Sequence, residues 1–138
     1  MAINMVNLED AYHQRIHTIV TSFDLTGYDP ESFDLFLNSL KGQVPLLLLE
    51  LALVETLVKE WLRIPFERGV TFLEATQDLL QLWQKGRFEC RLTPLHFELI
   101  TGLDPTPTFT GLDQVLQDWI SAADRVRATV QMPATEMP

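Results

Sequence analysis

Val44-Pro45-Leu46-Leu47-Leu48-Leu49-Glu50-Leu51-Ala52-Leu53-Val54 is the stretch whose reading decides the fold. It is apolar on nearly every side, so it leaves no wet face for an ordinary surface helix. Glu50, with Glu55 just beyond it, makes the run too short and too acidic to cross a bilayer, which needs about 20 apolar residues. What remains is a helix wrapped by other helices. Pro45 is suited to open it, and Ile64-Pro65 to end it, because a residue before proline is pushed out of the helical region. A helix over residues 45–63 is therefore expected at the centre of an all-α, single-domain bundle of five or six helices. Residues 45–54 read as enclosed. From residue 55 the pattern turns amphipathic, with Leu57, Val58, Trp61 and Leu62 inward and Glu55, Lys59, Glu60 and Arg63 outward. Glu55 and Lys59 stand in the favoured i,i+4 order.

The flanking sequence supplies helices to wrap around that axle. Leu8, Tyr12, Ile16, Ile19 and Phe23 form one stripe of a first helix, placed from Asn7 with Asp10 as a loose capping-box partner. Asp29-Pro30 caps and opens a second, whose face is read as Phe33, Leu35, Phe36, Leu37 and Leu40. Thr71 with Glu74 matches a capping box ahead of a fourth helix bearing Phe72, Leu73, Ala75, Leu79, Leu80, Leu82 and Trp83. Residues 87–92 read as a connector, and Thr93-Pro94 starts a fifth helix closed by Gly102. Asp104 to Thr108 holds two prolines and reads as a rigid loop. A last helix follows from Thr110 through Val115, Leu116, Trp119, Ile120, Ala123 and Val126. The bundle domain is thus 1–129, and 130–138, without apolar period, reads as a flexible tail. Ser22–Pro30 and His96–Pro105 echo each other: a glycine stops one helix and Asp-Pro prepares the next.

Nineteen acidic against ten basic side chains give a net charge of −9. Such a surface repels phosphate backbones, so no nucleic acid is expected as a partner. A helix-turn-helix drawn over 71–101 would read DNA with 93–101, which holds His96 and Glu98 but no Lys or Arg. Lys85, Arg87 and Arg91 around Phe88 form a small basic cluster, read as a solvated turn. Cys90 is the only cysteine, and no charged n-region precedes an apolar segment, so a cytoplasmic protein without a membrane span is expected.

No phosphate-cradling loop or nucleophile elbow is present, and no cofactor is expected. His13 and His17 share a helical spacing that brings two imidazoles to one metal, with Glu9 one turn earlier as an oxygen ligand. These three are the weak metal candidates, and a small metal-binding protein or enzyme built on them is the alternative reading. Cys90, beside Glu89 and Arg91, reads as a half-buried structural thiol. Glu50 is the oddest acid, alone in the most apolar stretch, where buried acids are usually paired. Glu50, Trp61, Trp83 and Trp119 are the candidate partner-binding residues, aromatic rings being enriched in binding hot spots.

The segment Asp78-Leu79-Leu80-Gln81-Leu82-Trp83-Gln84, with the acidic balance, resembles small helical accessory proteins of cyanobacteria. Among these are factors that assist carboxysome or photosynthetic-complex assembly. The resemblance lies in general style and implies a partner such as the tail of a shell or enzyme subunit. The reading reached is a non-enzymatic adaptor or assembly factor that holds a short amphipathic or basic segment of another protein in a groove between helices. A self-associating homo-oligomer is the third reading.

Overall fold

The computed structural model describes residues 2–61 and 67–136, with side chains described from residue 9 to residue 126. Seven helices account for the described elements: α1 Ala2–Ser22, α2 Pro30–Gln43, α3 Leu46–Glu60, α4 Val70–Gln84, α5 Pro94–Thr101, α6 Thr106–Thr110 and α7 Leu112–Glu136. The protein is all-helical, as expected. α3 is the axle, packing against α1, α2, α4, α6 and α7, and every residue from Leu47 to Leu57 is buried. A surface helix hides one stripe. This one hides its whole circumference, because neighbours surround it.

Several boundaries differ from the sequence reading for identifiable reasons. α1 begins at Ala2, so Asn7 lies inside the helix rather than capping it. α4 starts at Val70 from Gly69, and the Thr71/Glu74 capping box is not used. The double-proline segment is not a loop. Its residues 106–108 begin α6 (Thr106–Thr110), since proline in a first turn forfeits only an N–H that has no helical partner there. Asp104 Oδ1 accepts the Thr106 N–H at 3.0 Å, which leads the chain into that turn and holds the Asp104 carboxyl below its usual range. α7 continues to Glu136, past the expected end near Thr129. α3 starts at Leu46 with Pro45 as its N-cap and ends at Glu60, short of the expected 45–63. Leu62, Arg63 and the Ile64-Pro65 stop lie outside the described residues.

Other local signals act as read. Asp29 Oδ1 accepts the Ser32 N–H at 3.2 Å ahead of Pro30, and Thr93 Oγ1 accepts that of His96 at 3.1 Å. Gly102 closes α5 in the left-handed region.

The turn between α1 and α2 is locked onto the start of α4. Gly69 donates its N–H to the Leu25 carbonyl at 2.7 Å. Gly27 has φ +76°, and a Cβ on it would stand 2.9 Å from Gly69 Cα. Gly27→Ala is therefore expected to lower unfolding stability by about 1–2 kcal/mol through backbone strain alone, and further because Gly69 must move. Urea denaturation measures this, and an unchanged midpoint would contradict the packing.

Candidate functional site

Two exposed apolar residues, Val58 of α3 and its C-cap Trp61, line the same apolar groove. Trp61 is 62% exposed and Val58 stands at 36%. This reverses the inward placement expected for both. The inward position is taken instead by Glu55, which is fully buried. Its Oε2 accepts the backbone N–H of Arg91 at 3.0 Å, so the carboxylate ties the connector after α4 to the axle. Helical period alone makes Glu55 an outward charge. A backbone donor from a distant loop makes it a buried one.

Val58 and Trp61 form one wall of a groove with Phe23, Leu57 and Ile100, enclosing about 470 Å³. Phe23 meets the Trp61 ring edge-on, centroids 6.3 Å apart at 87°. A second lobe of about 380 Å³ shares Phe23, Leu57 and Trp61 and adds Ser22, Asp24 and Arg68. One lobe is apolar and the other is polar-edged. Such a volume is in the range of ligand and side-chain pockets, roughly 300–1,000 Å³.

A buried ion pair sets the helices that build these walls. Glu50 is fully buried. Arg15 grips it with both ends of its guanidinium fork, Nε to Oε2 at 2.8 Å and Nη2 to Oε1 at 2.9 Å. The same Nη2 donates to Thr108 Oγ1 at 3.2 Å, and the Thr108 hydroxyl donates to Glu50 Oε1. The guanidinium lies 5.9 Å over the Phe97 ring of α5. Tyr12, one turn before Arg15, donates its hydroxyl to the Pro107 carbonyl at 2.9 Å. Its phenol is held above the usual range by burial first and by the Glu50 charge second, with Arg15 opposing. The hydrogen bond to Glu50 in turn raises Arg15. One cluster thus fixes α1, α3, α5 and α6 to each other.

The candidate partner-binding residues therefore divide. Glu50 is sealed in the core by Arg15 and is no surface acid. Trp83 is fully buried, with Phe88 packed on it at 4.8 Å. Trp119 is half-buried and lines a small cleft with Leu40, Val44 and Leu80. Trp61 alone of the three tryptophans is exposed. Phe23 and Val58 went unmarked as site residues because helical period assigns both to a core, and Ile100 because the short fifth helix was given no face.

The metal candidates remain on α1. His13 Nε2 lies 3.8 Å from Glu9 Oε1, and His17 is exposed. Among the described residues no group of three metal-capable side chains comes together. Lys85, Arg87 and Arg91 are exposed on the connector as a solvated turn.

Cys90 is half-buried beside Glu55. Burial, then the neighbouring carboxylate, push its thiol up to about 12, with the Leu92 N–H and Lys59 opposing. The folded thiol stays neutral where an unfolded one, near pKa 8.5, ionises. Its contribution to stability is therefore complete below about pH 8.5 and is lost as pH rises toward 12. Slow alkylation by iodoacetamide at pH 9, accelerated by urea, is expected. Equal rates folded and unfolded would refute the buried placement.

No protein-family model matches the chain, and no curated protein or solved structure matches it either. Function rests on the geometry. No helix among the described residues is long and apolar enough to cross a membrane.

Proposed function

We propose that the chain is a non-enzymatic adaptor or assembly factor that docks a peptide or helix of a partner protein in the Trp61 groove. The observation that carries this reading is Trp61 itself: a large ring left 62% exposed at the mouth of an apolar pocket. Exposing a tryptophan costs burial free energy unless something covers it in use, and partly exposed aromatic rings beside pockets anchor many interfaces. Phe23, Leu57, Val58 and Ile100 supply the shape that receives an apolar side chain.

Photo-crosslinking from position 58 in the native cell tests it. One recurrent protein partner is expected, lost when Trp61→Ala is combined with the crosslinker. The same crosslinker at Leu35, exposed on α2, is the control. Identical products from both positions, or none from position 58, would defeat the adaptor reading.

A further inference from the structure

We infer that residues 87–92 are a strand-addition site, which receives an extended partner peptide alternating acidic and apolar residues. The segment lies between the turn at Lys85-Gly86 and α5, and it forms neither helix, turn nor bend. Thr93, which follows it, is extended at φ −96° and ψ 162°. Burial along the segment alternates. Phe88 and Cys90 are half-buried and Leu92 is buried, whereas Arg87, Glu89 and Arg91 are exposed. A period of two marks a strand laid flat on a core.

Its main chain is satisfied on one edge only. Successive residues of a strand direct their N–H and C=O groups to opposite edges. Arg87 donates its N–H to the Leu82 carbonyl at 2.9 Å, and Arg91 donates to Glu55 Oε2 at 3.0 Å. These bonds tie one edge to α4 and α3. On the other edge the N–H and C=O groups of Phe88 and Cys90 meet no partner among the described residues. Polar backbone groups without a protein partner must keep water, so this edge is open to solvent. It is therefore a template on which another strand can pair.

The exposed row decides what pairs there. Lys85, Arg87 and Arg91 place three of the chain's ten basic residues within seven positions. Neither they nor Glu89 make an ion pair among the described residues. Residues directly opposite in a strand pair sit about 5 Å apart, so opposite charges attract there and like charges repel. A fitting peptide sets acids against Arg87 and Arg91, a base against Glu89, and apolar residues against Phe88 and Cys90. A second copy of this chain fits less well, since two chains of net charge −9 repel as they approach. None of these residues lines the Trp61 groove, so this contact is independent of that one.

The test uses the capped peptide Thr-Glu-Val-Lys-Val-Glu-Thr, titrated into the isotope-labelled full chain and followed by NMR. The Phe88 and Cys90 amide protons are expected to move downfield and to exchange with water more slowly. Methylating both valine nitrogens of the peptide, which removes two donors, should weaken binding about tenfold. The charge-exchanged peptide Thr-Lys-Val-Glu-Val-Lys-Thr should prefer an Arg87→Glu/Glu89→Lys/Arg91→Glu chain, whose three changes are all at exposed positions. Circular dichroism confirms that this variant is folded. No response at Phe88 and Cys90 to millimolar peptide, or undiminished binding of the methylated form, would overturn strand addition. Equal binding of both charge forms to both chains would overturn the acidic occupant. Shifts at Phe88 and Cys90 that follow protein concentration without peptide would assign the edge to a second copy instead.

Discussion

Arg15→Ala is expected to destabilise the fold by about 3–5 kcal/mol, the cost of leaving a buried carboxylate without its countercharge. Glu50 has no solvent exposure, and the Arg15 side chain has 13%, so water cannot take over the lost contacts cheaply. Three described hydrogen bonds reach the carboxylate, two from Arg15 and one from Thr108. Removing the guanidinium strips away the charge-assisted pair and leaves one hydroxyl to solvate an anion. The informative comparison is a combined Arg15→Met, Glu50→Leu, Thr108→Val variant, which removes every polar partner together. It should lie much closer to the parent, because replacing a buried ion pair by apolar side chains is often neutral or stabilising. Urea denaturation at constant pH measures both. A loss below about 1 kcal/mol for Arg15→Ala would mean that Glu50 finds water or another donor. Should the combined variant fold well yet lose the Trp61-dependent crosslink, the ion pair would be a positioning device for the groove rather than a source of stability.

Leu51→Ala carries the second large effect, about 2–5 kcal/mol, whereas Leu35→Ala should stay within about 0.5 kcal/mol. Leu51 is fully enclosed among the helices around α3, and its deletion leaves a void that surrounding helices fill only in part. Leu35 is 72% exposed on α2 and loses little by truncation. Both read as inward leucines from helical period. Their thermal melts should separate them cleanly, and similar losses would show that α2 is covered in solution by something the single chain does not provide.

Glu55 and Val58, one turn apart on α3, mark where helical period stops predicting burial. Caps and stops act locally: Asp29, Thr93 and Gly102 bond to neighbours a few residues away and Pro30 needs no N–H partner in a first turn, so their roles were legible before any fold was known. The enclosed leucine run was legible too, because the consecutive buried positions from Leu47 to Val54, Glu50 apart, carry apolar residues on every side of the helix, whatever the topology. The groove was not. On α3, period alone sends Val58 and Trp61 inward and Glu55 outward. Which way they turn depends on where the connector carrying Arg91 comes to rest, 36 residues later in the chain. Leu82 on α4 and Val126 on α7 were likewise read as inward and stand exposed.

By itself, then, the sequence determined an all-helical protein built around residues 45–54, the punctuation of several helices, and a charge that disfavours nucleic acid. Those properties come from local propensity and from the sheer apolar content of one segment. Only the tertiary structure decided that Glu50 pairs with Arg15, that Glu55 is buried, and that Trp61 is left at the surface beside an apolar groove. The physical reason is range. A cap is satisfied within one turn, but a buried charge or an uncovered ring is defined by partners that only packing brings near.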